Sequence, residues 1–372
     1  MEEKQDGDPP AVTPVRSRVT SSCGDAAVRS SSAAAAAAQR GRVLVLLSAV
    51  CFGTTGTAQA VGAPDVSPVA VGAARIVVGG LLLALVALAV RRRGSRVVAA
   101  PRMFPPAATR RRVAADAHNL TGRGPAGGRG RGAQLAVVGI GALGVAAYQP
   151  TFFAGVERSG VAVGTVVALG SAPVLTGLLQ WAVLRRRPGP WWVLATMLAT
   201  AGVAVLAVAG GGDARLDPVG VACSVGAGGS YAVYTLASKA LLDGGWSTTD
   251  VMGSQFGAAA VLMVPVLLLA GTGWLATPSG AATALFLGVV PTTVAYLLFA
   301  RGLALVTAAE TATLTLAEPV TAGLLGVVVL GERLGAASGV GVLLLLAGMA
   351  VLVLSGRPRA PATARTSERM GS

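Results

Sequence analysis

Few residues in this chain combine reactive chemistry with a placement that demands explanation. Glu318 is the first. It interrupts a run of otherwise apolar or small residues, Thr311 to Leu330, and is followed at once by Pro319. A run of that length crosses a hydrocarbon core of roughly 30 Å. A carboxylate at such a depth costs roughly 2.5 kcal/mol or more, so it must face protein or a water-filled cavity. There it suits a proton carrier or a partner for a cationic substrate group. The structural alternative is a carboxyl hydrogen-bonded to backbone that Pro319, lacking an N–H, sets free. Arg75 is the second, about nine residues into another apolar run. Always charged, it can bind a substrate carboxylate, pair with Glu318, or simply hydrogen-bond to carbonyls.

Uncharged polar groups form a second tier. All four tyrosines, Tyr148, Tyr231, Tyr234 and Tyr296, fall inside apolar runs rather than at their ends. A hydroxyl in lipid needs a partner, so these can line a polar cavity or make interhelical hydrogen bonds. Tyr148-Gln149 and Tyr296 occupy comparable depths, and Thr54, Gln59 and Gln255 are weaker candidates of the same kind. Pro173 and Pro319 are expected to break their helices near the middle and serve as hinges. Other chemistry finds little support. The chain has one histidine, His118, and three cysteines without paired spacing, so neither a metal centre nor a disulfide framework is expected. With no nucleophile–base set and no G-x-x-x-x-G-K-[ST] motif, we expect no enzyme, no cofactor and no nucleotide.

The elements that must hold these residues are helices in a membrane. Of the 372 residues, 53% are hydrophobic and only 12% charged, whereas a soluble domain carries about 25% charged residues. Apolar runs predict ten spans at about 43–61, 66–90, 134–155, 161–184, 190–210, 218–238, 250–270, 281–300, 308–330 and 336–355. Residues 1–42, rich in Ser, Ala and Pro, are read as a disordered cytoplasmic tail; 357–372 form a second tail. The net charge of +14 is carried in loops and tails. Placing the N-terminus inside leaves only Arg158, Arg215 and Arg333 in outside segments. That asymmetry predicts an inner-membrane protein with both termini cytoplasmic. The basic loop 91–133 lacks aromatics to stack bases, so it belongs near anionic lipid, and no nucleic acid is implied.

The chain also repeats itself. Shifted by 146 residues, Phe153–Gly210 aligns without a gap to Phe299–Gly356 with 20 identities in 58 columns, Pro173 falling on Pro319. Five spans per half is an odd number, so residues 43–210 and 218–356 must lie upside down relative to each other. Inverted repeats of this kind place the substrate site at their interface near the midplane and work by alternating access.

These features resemble the EamA family of the drug/metabolite transporter superfamily. The resemblance rests on the Pro-centred fourth and ninth spans, on A-E-P-V-x-A-x-L-L-G-x-x-x-L-G-E at Ala317–Glu332, and on an in-membrane Arg after Ser67-Pro68. It covers about 43–356 and implies an all-α, ten-helix exporter of small metabolites, often amino acids, in some members purines or drugs. The chain departs from the pattern at Leu184-Arg185-Arg186-Arg187, where Leu-Gly-Glu is expected, and in its long basic loop. The expected partners are a small-molecule substrate, the lipid bilayer and protons as coupling ion, with a homodimer as one assembly open to such a chain. Drug or purine efflux, uptake, and a non-transporting scaffold stand as alternatives.

Overall fold

In a computed structural model the described residues are 18–98, 130–185, 187–209, 217–331 and 335–355, helical apart from short connections and with no strand among them. Ten helices are long and apolar enough to cross a membrane: α1 Ala33–Gly62, α2 Pro68–Arg93, α3 Arg131–Gly160, α4 Val163–Val183 and α5 Pro190–Ala209, then α6 Pro218–Asp243, α7 Thr248–Ala270, α8 Pro278–Leu303, α9 Ala308–Leu330 and α10 Ala336–Leu354. Apolar runs become helices here because lipid offers no partner for a free backbone group. Short polar side chains set four of the starts. Asp217, Ser247, Thr277 and Thr307 each accept the backbone N–H three residues on, at the heads of α6, α7, α8 and α9. Between α3 and α4 the helix is interrupted only at Gly160, whose φ of 83° suits a residue without a Cβ.

Burial runs opposite to that of a water-soluble protein. Leu269 is 90% exposed on the outside of the bundle, while Gln255, Thr292, Thr311 and Ser224 are fully buried. Apolar surface faces out, where lipid tails lie, and polar groups face in.

The two halves are interleaved as their repeat requires. α2 lies along α7 and α5 along α10, pairing equivalent helices. The α5–α10 contact is reciprocal. Gly202 abuts Gly341 and Leu345, and Gly348 abuts Ala195 and Ala199; each of these is the other's repeat partner at the 146-residue shift. A self-complementary contact is the signature of a two-fold axis. One end of the bundle gathers the start of α1 with the ends of α2, α6, α8 and α10 and the starts of α7 and α9. Arg42 there reaches Glu310 and the Val353 carbonyl, Arg91 pairs with Asp250, and Lys239 bonds the Leu303 carbonyl and Asp243. We call it the α1-entry face.

Three expectations need correction. Residues 1–42 were expected to be disordered, but the helix that becomes α1 begins at Arg18; the run Ala33–Ala38 is the strongest helix former available. The segment before Arg18 lies outside the described residues. Part of the basic loop 91–133 is also helical, since α2's helix runs on to Val98, while residues 99–129 lie outside the described set. Pro173 does not break α4, whose dihedrals stay helical through it. One missing N–H is tolerable where helices pack on both sides.

Candidate functional site

A cavity of about 520 Å³ lies among α1, α2, α3, α4, α6, α8 and α9. Both intramembrane charges line it, and so do all four tyrosines, Gln149, Gln59 and Pro319. These residues are scattered over some 260 positions of sequence, from Gln59 to Pro319; the interleaved repeats bring them together.

The two charges come from different helices. Arg75 of α2 donates through Nη1 to the Thr55 hydroxyl of α1 at 3.3 Å, and Thr55 in turn donates to the Phe52 carbonyl. The Arg75 Nε is buried without a partner. Glu318 sits where α9 changes pitch. Thr315–Ala317 forms one 3₁₀ turn, and the Glu318 N–H donates to the Thr315 carbonyl that Pro319 cannot reach. The backbone freed by Pro319 is thus satisfied by the Glu318 amide, which leaves the carboxyl facing the cavity. α1 comes close at this point: a Cβ on Gly53 would stand 2.8 Å from the Glu318 carbonyl oxygen. Arg75 and Glu318 share the cavity but lie beyond the 4.0 Å of an ion pair.

The wall between them is aromatic. Tyr148 stacks on Phe152 with ring centroids 5.9 Å apart, and Tyr231 meets Tyr234 edge-on at 5.1 Å. The Tyr231 hydroxyl shares a 2.8 Å hydrogen bond with Thr315, and Tyr296 packs on Phe52. Such a cavity brings a guanidinium, a carboxyl group and flat ring faces into one enclosure.

Three expected residues stand elsewhere. The Thr54 hydroxyl is turned to the Cys51 carbonyl of its own helix. Gln255 is fully buried and accepts from Ser238. Pro173 leaves the lining to its neighbour Ala172. Conversely, Thr55, Thr165, Thr315 and the rings of Phe52, Phe152 and Phe153 line the cavity without having been singled out. Thr315 was findable: it lies three residues before Glu318, on the same helix face. Choosing Thr55 over Thr54 needed the packing of α1. A second surprise is Pro291, which opens α8 into a π-helical turn, Val289–Val294. The Leu287 carbonyl it frees accepts from the Thr292 hydroxyl at 2.8 Å.

The model of the EamA-like transporter family matches residues 39–208 and again 218–354, one match for each half. The chain belongs to the EamA-like transporter family. It is 37% identical over 327 residues to the uncharacterized transporter YwfM of Bacillus subtilis (strain 168), spanning 87% of this chain and 97% of that relative. It is 26% identical over 226 residues to the uncharacterized inner membrane transporter YicL of Salmonella typhimurium (strain LT2), covering 60% of this chain and 73% of that one. A solved crystal structure superposes with a TM-score of 0.65 at 20% identity, over 85% of this chain and 97% of the other, a likeness of fold. This EamA-like chain is therefore a multi-pass membrane transporter with a two-repeat helical fold.

Proposed function

We propose that this transporter exports small zwitterionic metabolites, amino acids foremost, across the inner membrane by alternating access. One observation carries the reading. Arg75 and Glu318 face the same cavity without neutralising each other, so a ligand bearing both a carboxylate and an ammonium can satisfy both. An unpaired charge held at that depth is costly, and such a ligand removes the cost at each end. The 3₁₀ turn before Pro319 serves as the pivot about which the cavity changes sides. Lys and Arg placement puts the α1-entry face in the cytoplasm with both termini. Uphill export then draws on an ion gradient, with Glu318 carrying a proton; Glu318→Gln should remove any pH dependence of transport.

The test is metabolite export from cells overproducing the protein, read by mass spectrometry over pooled amino acids, against Glu318→Ala and Arg75→Ala. Amino acids accumulating outside only with the intact protein support the reading. Accumulation of purines or apolar amines alone would favour the second one, drug or purine efflux, which the aromatic wall of Tyr148, Phe152 and Tyr231 supports.

A further inference from the structure

From the cavity toward the α1-entry face, α6 carries a run of polar residues of which the site uses only the first two. Tyr231, Tyr234, Thr235, Ser238 and Lys239 fall on one side of the helix, within about 140° of arc at 100° per residue. From Tyr231 to Lys239 this side descends about 12 Å, at 1.5 Å per residue. It begins at the cavity, which Tyr231 and Tyr234 line, and ends at the face where Lys239 bonds the Leu303 carbonyl and Asp243. Every member beyond the cavity is buried, Thr235 and Ser238 completely.

A buried polar run in a membrane helix is expected to be satisfied by its neighbours, and this one is met only in part: Ser238 and Lys239 have partners, whereas Tyr234 and Thr235 do not. The Tyr234 hydroxyl lies close to those of Thr235 and Tyr296, but neither contact has the geometry of a good hydrogen bond. The Thr235 Oγ1 and the Nε2 of Gln255 from α7 are likewise stranded, although Gln255 Oε1 accepts from Ser238 at 2.6 Å. Leaving such groups unmet is costly, and each in a native structure calls for an explanation. Pressed beside them is a cluster of rings centred on Tyr296, with Phe256 at 4.1 Å, Phe52 at 4.9 Å, Phe299 at 5.9 Å and Tyr234 at 6.2 Å between centroids. Tyr296 and Phe299 lie on α8 just above Leu303, on the same descent as α6.

We infer that this side of α6, with Gln255, is the closed half of the translocation route, and that the Tyr296 ring cluster is its plug. The stranded groups are the lining of a passage seen shut. When the α1-entry side opens, water or substrate meets Tyr234, Thr235, Ser238 and Gln255, and their hydrogen-bonding capacity is filled. Filling it offsets part of the cost of parting the aromatic rings, which keeps the two states close in free energy. The inference rests on alternating access and is indifferent to which metabolite is carried.

Cysteine accessibility tests it. In protein lacking Cys23, Cys51 and Cys223, Ser238→Cys and Thr235→Cys are exposed separately to a membrane-impermeant maleimide in intact cells and in inside-out vesicles. Labelling is expected from one membrane side only, the side of the α1-entry face. Adding Tyr296→Ala should speed it by at least about tenfold, as loss of the plug shifts the population toward the open state. Tyr296→Phe, which keeps the ring, should leave the rate within about twofold, and serves if the alanine variant is not monodisperse. Labelling of neither cysteine from either side, in variants that still export, would overturn the inference while leaving the amino-acid reading intact. Labelling with the expected sidedness but no amino-acid export would uphold the route and sink that reading.

Discussion

α4 and α9 are repeat partners, and they have diverged at the position that matters. Pro173 and Pro319 occupy the same column, and both helices are crossed tightly by a glycine from the helix that opens the opposite half. Gly53 of α1 presses on the Glu318 carbonyl of α9, and Gly228 of α6 presses on Ala168 and Ala172 of α4. Yet α4 runs on helically through its proline, whereas α9 tightens into a 3₁₀ turn before it. Ala172 stands where α9 has Glu318, and both line the same cavity. One ancestral frame thus presents a blank wall on one side and a charge on the other. A shared proline makes a bend available; the neighbouring residues decide whether it is used. The cavity is polarised because only one half kept, or gained, an acid, and because Arg75 comes from the first half with no charged counterpart in the lining of the second.

The largest expected effect comes from erasing this difference. Glu318→Ala makes α9 resemble α4 and should cut export at least about tenfold, the equivalent of roughly 1.4 kcal/mol, with the protein still present in the membrane at normal levels. Moving the acid, as Glu318→Ala with Ala172→Glu, asks whether side matters. We expect export to stay depressed to the same degree, because the 3₁₀ turn and the Tyr231–Thr315 hydrogen bond exist only on α9. Recovery in the export assay would show the asymmetry to be incidental. Thr315→Val removes that hydrogen bond from Tyr231 and should weaken apparent substrate affinity by about twofold to tenfold, the worth of one such bond, measured as a shift in half-saturating concentration.

The smallest effect lies at the ends of the same two helices. Gly331 closes α9 in the left-handed region at φ 71°, and Arg185, its repeat partner, adopts φ 54° after α4. A side chain there costs roughly 1–2 kcal/mol, so Arg185→Gly should raise Tm by a few degrees, about 1 kcal/mol in stability, without changing export. A lower Tm would mean that the arginine makes contacts worth more than its strain.

The fold was largely legible because lipid leaves few choices. Apolar length, an odd number of spans per repeat and the Pro173–Pro319 register were enough to expect ten helices in two inverted halves. The charged pair was legible too, since an acid or a guanidinium inside an apolar run has few places to go. What could not be read was orientation about each helix axis. α1 is apolar nearly all round, so Thr54 and Thr55 look alike until α8 and α9 pack against it and Arg75 reaches Thr55. Gln255 resembled a cavity residue, but α3 covers it through Gly141, whose missing side chain makes room for the amide. The π turn at Pro291 depends on the Thr292 and Thr293 hydroxyls reaching back to carbonyls five residues earlier, a pattern that hydropathy does not record.

Counterflow in proteoliposomes bears most directly on the proposed zwitterion site. Vesicles loaded with one amino acid are challenged outside with labelled amino acids, with the matching amines that lack the carboxylate, and with the matching acids that lack the ammonium. The account expects exchange of the zwitterions alone, lost in Arg75→Ala and in Glu318→Ala. Exchange that tolerates either deletion, or that survives both substitutions, would contradict it.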